Sequence, residues 1–206
     1  MKKTLILSLS LVISVLSTSC KSEEKKNVEK EKIVTSHPFS LKQASNTIGW
    51  VAYKTTSKVP VKGSFKKVEI INNGFGNSAK EAINDTEFSI PVSSIFTSDV
   101  SRDFTLKKFF FGAMDNTKLL SGKLYLQTDS TGVASIKMNS VTADLPFAYT
   151  IDGKKFTLHA TMNLKNWKAK KAIDSLNIAC KELHKGTDGI SKTWDDVAIT
   201  ITSVFK

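Results

Sequence analysis

The chain has 206 residues, 40% of them hydrophobic and 24% charged, with two cysteines and a formal net charge of +11. That length allows a domain with a sizeable core, while two cysteines are too few for a disulfide-stapled scaffold. The basic excess lies in scattered lysines without the Arg-rich cluster or interleaved aromatics of a nucleic-acid interface, so no nucleic-acid partner is expected. It reads as a solvated basic surface, with attraction to anionic lipid headgroups as the functional alternative.

Met1-Lys2-Lys3 is a basic opening, and residues 5–16 form an apolar or hydroxyl run of about a dozen, short for a membrane-spanning helix and suited to an export signal. Ser17, Thr18 and Ser19 lead to Cys20, an approach that resembles a bacterial lipobox. Ser17 stands where an apolar residue is usual, and Leu16 lies one place further out. The expectation is a lipoprotein signal peptide over 1–19, lipidation at Cys20, a flexible charged tether over 20–38 and a folded domain over 39–206. The alternative is an ordinary cleaved signal with a chance cysteine. Several acyl chains, at roughly 0.8 kcal/mol per buried methylene, would hold the membrane stably. Cys180 then has no partner, so the core alone must hold the domain.

Residues 21–32 (KSEEKKNVEKEK) are nearly all charge and cannot bury enough apolar surface to offset their ordering entropy. Without Lys2 and Lys3 the charge falls to +9, and this stretch, with five Lys and four Glu, holds +1, leaving about +8 on the domain. Lys21 to Glu24 resemble the charged export tags of surface lipoproteins in the Bacteroidetes, and a lysine after Cys20 resembles the enterobacterial sorting pattern for the outer membrane. The expected location is the cell envelope, membrane-anchored, at the periplasmic face of the outer membrane or the cell surface.

From about residue 47 the chain is a succession of short period-two runs broken by Gly, Asn and Asp, which predicts an all-β domain. Strands are expected near 47–55, 62–72, 86–92, 123–128, 133–141, 145–151, 156–164 and 196–205. In the clearest, Phe156, Leu158, Ala160, Met162 and Leu164 alternate with Thr157, His159, Thr161 and Asn163. Asp152-Gly153 joins this run to the one before it as a tight hairpin. Eight antiparallel strands can close with room inside for side chains or one small ligand, so an eight-stranded barrel is favoured over a sandwich. Two stretches break the rhythm. An amphipathic helix is expected near 168–184, with Ala169, Ala172, Ile173, Leu176, Cys180 and Leu183 at helical spacing and Gly186 as its stop. A short helix is expected near 102–111 (RDFTLKKFFF), capped by Asp99 or Ser101.

Catalytic patterns are missing from the sequence. His37, His159 and His184 sit in no recognisable motif, and Cys180 with His184, four apart, would be half a metal site without a second pair. There is no Gly-x-Ser-x-Gly elbow, Asp195-Asp196 would place its carboxylates on opposite faces of a strand unless it lies in the preceding turn, and the 72–77 stretch (NNGFGN) lacks the lysine and following helix of a phosphate loop. No enzyme activity, metal or cofactor is expected.

Several pieces in order resemble the YceI-like family. Val61-Lys62-Gly63-Ser64-Phe65 resembles its strand entry, and residues 88–97 (FSIPVSSIFT) resemble its strand ending in a serine-threonine turn. Arg102-Asp103, Leu106 and Phe109-Phe110 resemble its Arg-Asp, leucine, double-phenylalanine segment. The resemblance spans about residues 45–206. It departs at residues 50–54 (WVAYK), where members often carry a histidine, and in the middle hairpin, which here reads Asp144-Leu145-Pro146 to Asp152-Gly153-Lys154. The family resemblance implies a lipocalin-like barrel that binds a polyisoprenoid or similar long-chain lipid.

On that resemblance, the candidate ligand-binding residues are Trp50, Phe65, Phe88, Ile90, Phe109, Phe110, Phe147 and Phe156, each of which would otherwise serve to fill the barrel. Arg102, Lys107 and Lys108 are candidates for an anionic headgroup, with a structural ion pair from Arg102 to Asp103 or another acid as the alternative. The implied function is sequestration or carriage of such a lipid at the envelope, with the membrane as partner through the acyl anchor and a homodimer left open. The alternative is a filled barrel serving as an adhesion or assembly module without a ligand.

Overall fold

Side chains that alternate apolar and polar with period two can bury one face of a strand and wet the other, and that alternation drives these runs together. In the computed structural model, which describes residues 37–206, the strands are β1 (Phe39–Ser40), β2 (Ser45–Lys54), β3 (Val59–Phe65), β4 (Glu69–Asn72), β5 (Phe75–Gly76), β6 (Glu87–Pro91), β7 (Ile95–Phe96), β8 (Leu119–Leu126), β9 (Thr131–Met138), β10 (Val141–Asp152), β11 (Lys155–Asn163) and β12 (Asp196–Val204). The leader over 1–19, Cys20 and the tether as far as residue 36 lie outside the described residues.

Ten strands form one curled antiparallel sheet in the order β4-β6-β8-β9-β10-β11-β12-β2-β3-β7, and β1 pairs with β5 beside it. The end strands of that order continue two chain runs already in it. β4 continues β3 beyond a bend at 66–68, and β7 continues β6 beyond a tight helical turn at Val92–Ser94. Those two runs lie side by side, β3 on β7 and β4 on β6, with the Lys66 amide donating to the Ser94 carbonyl at 2.9 Å between them. Eight runs of chain thus complete the ring. The strand count differs from the expected eight because two of those runs are broken.

The hairpin between β10 and β11 turns at Gly153-Lys154, with Asp152 paired to Lys155 and Gly153 at φ +55°. The turn from β9 to β10 places both Asn139 (φ 54°) and Ser140 (φ 56°) in the left-handed region between the paired Met138 and Val141. The Asn139 side-chain amide also donates to the Trp167 carbonyl at 2.9 Å, which holds the turn.

Among the described residues three α-helices accompany the sheet: α1 (Ala79–Ile83), α2 (Val100–Thr105) and α3 (Lys170–Ala179). α2 begins where the Asp99 carboxylate accepts the Arg102 amide at 3.0 Å. It continues through a wide π-type turn, Leu106–Phe110, and a tight one, Phe111–Ala113. The expected helix near 102–111 is therefore a helical run over 100–113. The helix expected over 168–184 is shorter, because Lys168 is left-handed (φ 53°) and because the chain after Cys180 folds back toward β12. Asn177 holds that return: its Oδ1 accepts from Thr193 at 2.9 Å and from Ser191 at 3.2 Å. Gly186 is consequently not the helix stop, and Leu183 is exposed rather than on the buried stripe.

The two ends of the barrel differ. At the closed end, marked by the starts of β2 and β11, Phe39 packs edge-on to Phe205 (5.2 Å), Tyr149 lies against Phe156 (5.5 Å), and α1 buries Ala79, Ala82 and Ile83. At the mouth, marked by the ends of β2 and β11, the helical run 100–113 lies beyond the end of β7, and Leu164 and α3 pack over the opening.

Candidate functional site

Between the mouth and the closed end lies a cavity of about 150 Å³. Its wall is built by register. Leu158, Ile201, Ile48 and Phe65 pair across four adjacent strands to form one layer, and Ile199 and Trp50 stand next toward the mouth. Phe88, Ile90 and Leu124 come from β6 and β8, and Met138, Leu145 and Phe147 from β9 and β10. Leu106, Phe110 and Phe111 of the helical run cover the mouth together with Leu164, Leu176 and Trp194. The lining is carbon almost throughout.

Three strand glycines make room for the rings of this wall. A Cβ on Gly63 would lie 2.1 Å from Cζ2 of Trp50, one on Gly132 2.4 Å from Cζ of Phe147, and one on Gly122 2.9 Å from Cζ of Phe88. Glycine weakens a strand interior, so glycine there marks a close approach: of the Trp50 ring at Gly63, of the Phe147 ring and the Tyr125 carbonyl (2.5 Å) at Gly132, and at Gly122 of the Ser135 carbonyl (2.5 Å) before the Phe88 ring. The residues surrounding the expected aromatics thus include Gly63, Gly122 and Gly132, and the sequence signal was a glycine inside each alternating run. The Trp50 indole N–H is buried without a hydrogen-bond partner, an unsatisfied donor in an apolar wall.

Six of the eight expected ligand-binding residues, Trp50, Phe65, Phe88, Ile90, Phe110 and Phe147, lie in the wall. Phe109 does not. The wide turn directs Leu106 and Phe110 inward, which leaves Phe109 in an outer groove against Lys171 and Ile178 of α3. Nor does Phe156 line the cavity. It shares the inward face of β11 with Leu158 but sits one pleat nearer the closed end, 1% exposed and packed on Tyr149.

Arg102, Lys107 and Lys108 also stay outside the wall. Arg102 pairs with Asp99 at 3.4 Å rather than with Asp103, whose carboxylate instead accepts the Thr97 amide (2.8 Å) and hydroxyl (2.7 Å). Lys107 and Lys108 are exposed, and the Lys108 ammonium sits 5.5 Å from the Phe104 ring and 5.1 Å from that of Phe109.

One polar cluster abuts the lining. Thr193, a wall residue, donates to Asn177 Oδ1 and lies 2.7 Å from His184 Nδ1, so the imidazole donates that Nδ1–H. Burial, and then the Lys54 ammonium, hold the His184 pKa below its ordinary value. Burial also raises that of the Cys180 thiol, with Lys54 opposing. Among the described residues no group of three or more His, Cys, Asp or Glu is placed to hold a metal.

No protein-family model matches the sequence, and no curated protein does. Solved structures do match. One is a polyisoprenoid binding domain from Saccharophagus degradans implicated in plant cell wall breakdown, at 10% identity and a TM-score of 0.57, covering 83% of this chain and 100% of that one. BcnA of Burkholderia cenocepacia matches at 16% identity and a TM-score of 0.51, covering 82% of this chain and 99% of that one. A mutant CJ YceI protein matches at 17% identity with a TM-score of 0.49, covering 71% and 85%. At such identities the first two likenesses establish a shared fold.

Proposed function

The chain has the YceI-like fold, and from that premise we propose that it binds a long-chain amphiphile, a polyisoprenoid-like lipid, in the barrel. The observation that carries this reading is the carbon-lined cavity of about 150 Å³ behind the helical run 100–113. A dry apolar cavity of about that size takes a benzene-sized guest, on the order of one isoprene unit. Burying one such unit gains roughly 3 to 4 kcal/mol, at about 0.8 kcal/mol per carbon group. Association costs about 4 to 15 kcal/mol, so one unit does not hold a ligand. A tail of several units must therefore enter by displacing Leu106, Phe110 and Phe111 at the mouth, and binding is coupled to movement of that run. That the Saccharophagus degradans domain binds polyisoprenoids supports the same ligand class.

The proposed setting is the cell envelope, with the barrel held to a membrane through lipidated Cys20 and serving as a local carrier or reservoir. The other reading, a filled barrel acting as an adhesion or assembly module, requires a void-free core, and the cavity favours binding over it. Native mass spectrometry with organic extraction tests the proposal, alongside quenching of Trp50 fluorescence by a labelled polyprenol. Co-purified or added lipid bound one to one, with quenching reduced in Trp50→Phe to the part that Trp194 at the mouth contributes, is the expected result. Repeated isolation without lipid, together with no uptake of polyprenol, would overturn it.

A further inference from the structure

The mouth of the barrel carries an outer surface that the cavity does not use. Val100 (86% exposed) and Phe104 (59%) lie one helical turn apart on α2, and Ile178 (76%) projects from α3. They belong to one face. Lys108 lies over the rings of both Phe104 and Phe109, and Phe109 shares a groove with Lys171 and Ile178. Among the described residues, Lys107, Lys108 and Lys171 have no carboxylate within 4 Å, whereas the acids around them are engaged: Asp99 with Arg102, Asp103 with Thr97, and Asp174 with Lys170. The face thus presents apolar tips separated by free ammonium groups.

We propose that this face docks the barrel, mouth first, on a lipid bilayer containing anionic headgroups. Aromatic and aliphatic tips flanked by lysines on short helices match an interfacial segment, in which apolar side chains enter the acyl boundary while cations meet headgroups. Interfaces between proteins are depleted in lysine, which disfavours a protein occupant. The docking surface stands apart from the cavity wall, so it does not depend on the cavity being filled. If both hold, a lipid tail passes from the bilayer to the barrel across the run 106–111.

Residues 37–206 form a compact unit with its own core and closed sheet, and they exclude the apolar leader, which would bind vesicles by itself. Co-sedimentation of this unit with vesicles of phosphatidylcholine, with and without roughly a third phosphatidylglycerol, tests the proposal. The expected result is binding to the anionic vesicles that weakens with salt. It falls about tenfold or more in Lys107→Ala/Lys108→Ala and in Phe104→Ser/Ile178→Ser, with thermal unfolding unchanged in both and, in Phe104→Ser/Ile178→Ser, with uptake of polyprenol from detergent solution unchanged as well. Phe75→Ser, at the closed end, leaves binding intact. The proposal is overturned if the unit ignores anionic vesicles, if the mouth variants bind as the parent does, or if sedimentation velocity shows that these side chains serve a dimer instead. Loss of polyprenol uptake without loss of vesicle binding would count against the cavity reading alone.

Discussion

Gly63 carries no side chain because the Trp50 indole occupies the space above it, and the pair couples backbone to cavity wall at the scale of one residue. Gly63→Ala puts a methyl where Trp50 stands, and the ring must move toward the lumen. We expect a loss of about 1 to 3 kcal/mol in denaturant unfolding, together with a smaller cavity and weaker uptake of lipid. His184 supplies a pH dependence whose sign follows from its surroundings. Burial and Lys54 depress its pKa in the fold, so as pH falls the unfolded chain takes up this proton first. The stabilisation is complete above about pH 6.5, the unfolded value, and is lost as pH falls toward the folded one. Between about pH 7.5 and 5.5 the unfolding midpoint should drop further in the parent than in His184→Asn, as read by circular dichroism. Equal drops would remove His184 from the account. Cys180, buried beside the same cluster, should resist alkylation until the domain unfolds.

At the scale of elements, the helical run 100–113 decides access to the lumen, and its anchoring is local. Asp99 caps its first turn and Asp103 ties it to Thr97 at the end of the preceding strand. The wide turn at Leu106–Phe110 then changes which side chains face inward. Asp99→Ala should cost about 1 kcal/mol and raise hydrogen exchange across this run more than in β10 or β11. Phe110→Ala removes a ring from the mouth. It should shift the chain-length dependence of polyprenol binding, so that short chains bind as well as longer ones do in the parent. An unchanged dependence would place the entry elsewhere. The start of this run was legible in the sequence as an Asp99 or Ser101 cap before an apolar stretch. Its π-type turn was not, since no residue type specifies one. The end of α3 was missed for a similar reason: the spacing of Cys180 and Leu183 continues the helix, and only Asn177 capturing Ser191 and Thr193 stops it.

For the whole molecule, the barrel closes because two long runs bend, so that β3 meets β7 and β4 meets β6 without a free edge between them. If Cys20 is the anchor, Cys20→Ser should leave folding and lipid uptake unchanged while moving the protein from the membrane to the soluble fraction. Retention of the variant in the membrane fraction would separate the leader from the anchor. The mouth surface would then have to account for that retention, which the vesicle experiment measures independently. By itself the amino-acid sequence determined the β class, the eight runs and the hairpin between β10 and β11, whose turn the structure sets one residue later than Asp152-Gly153, at Gly153-Lys154. Alternation has period two and a tight turn favours residues that accept positive φ, such as Gly153, and both are properties of neighbours along the chain. Only the tertiary structure decided which apolar side chains see the lumen. Phe109 and Phe110 are adjacent and chemically identical, yet a wide helical turn sends one out and the other in. Phe156 and Leu158 share one face of one strand, yet their level along the barrel buries the first in the floor and sets the second in the wall.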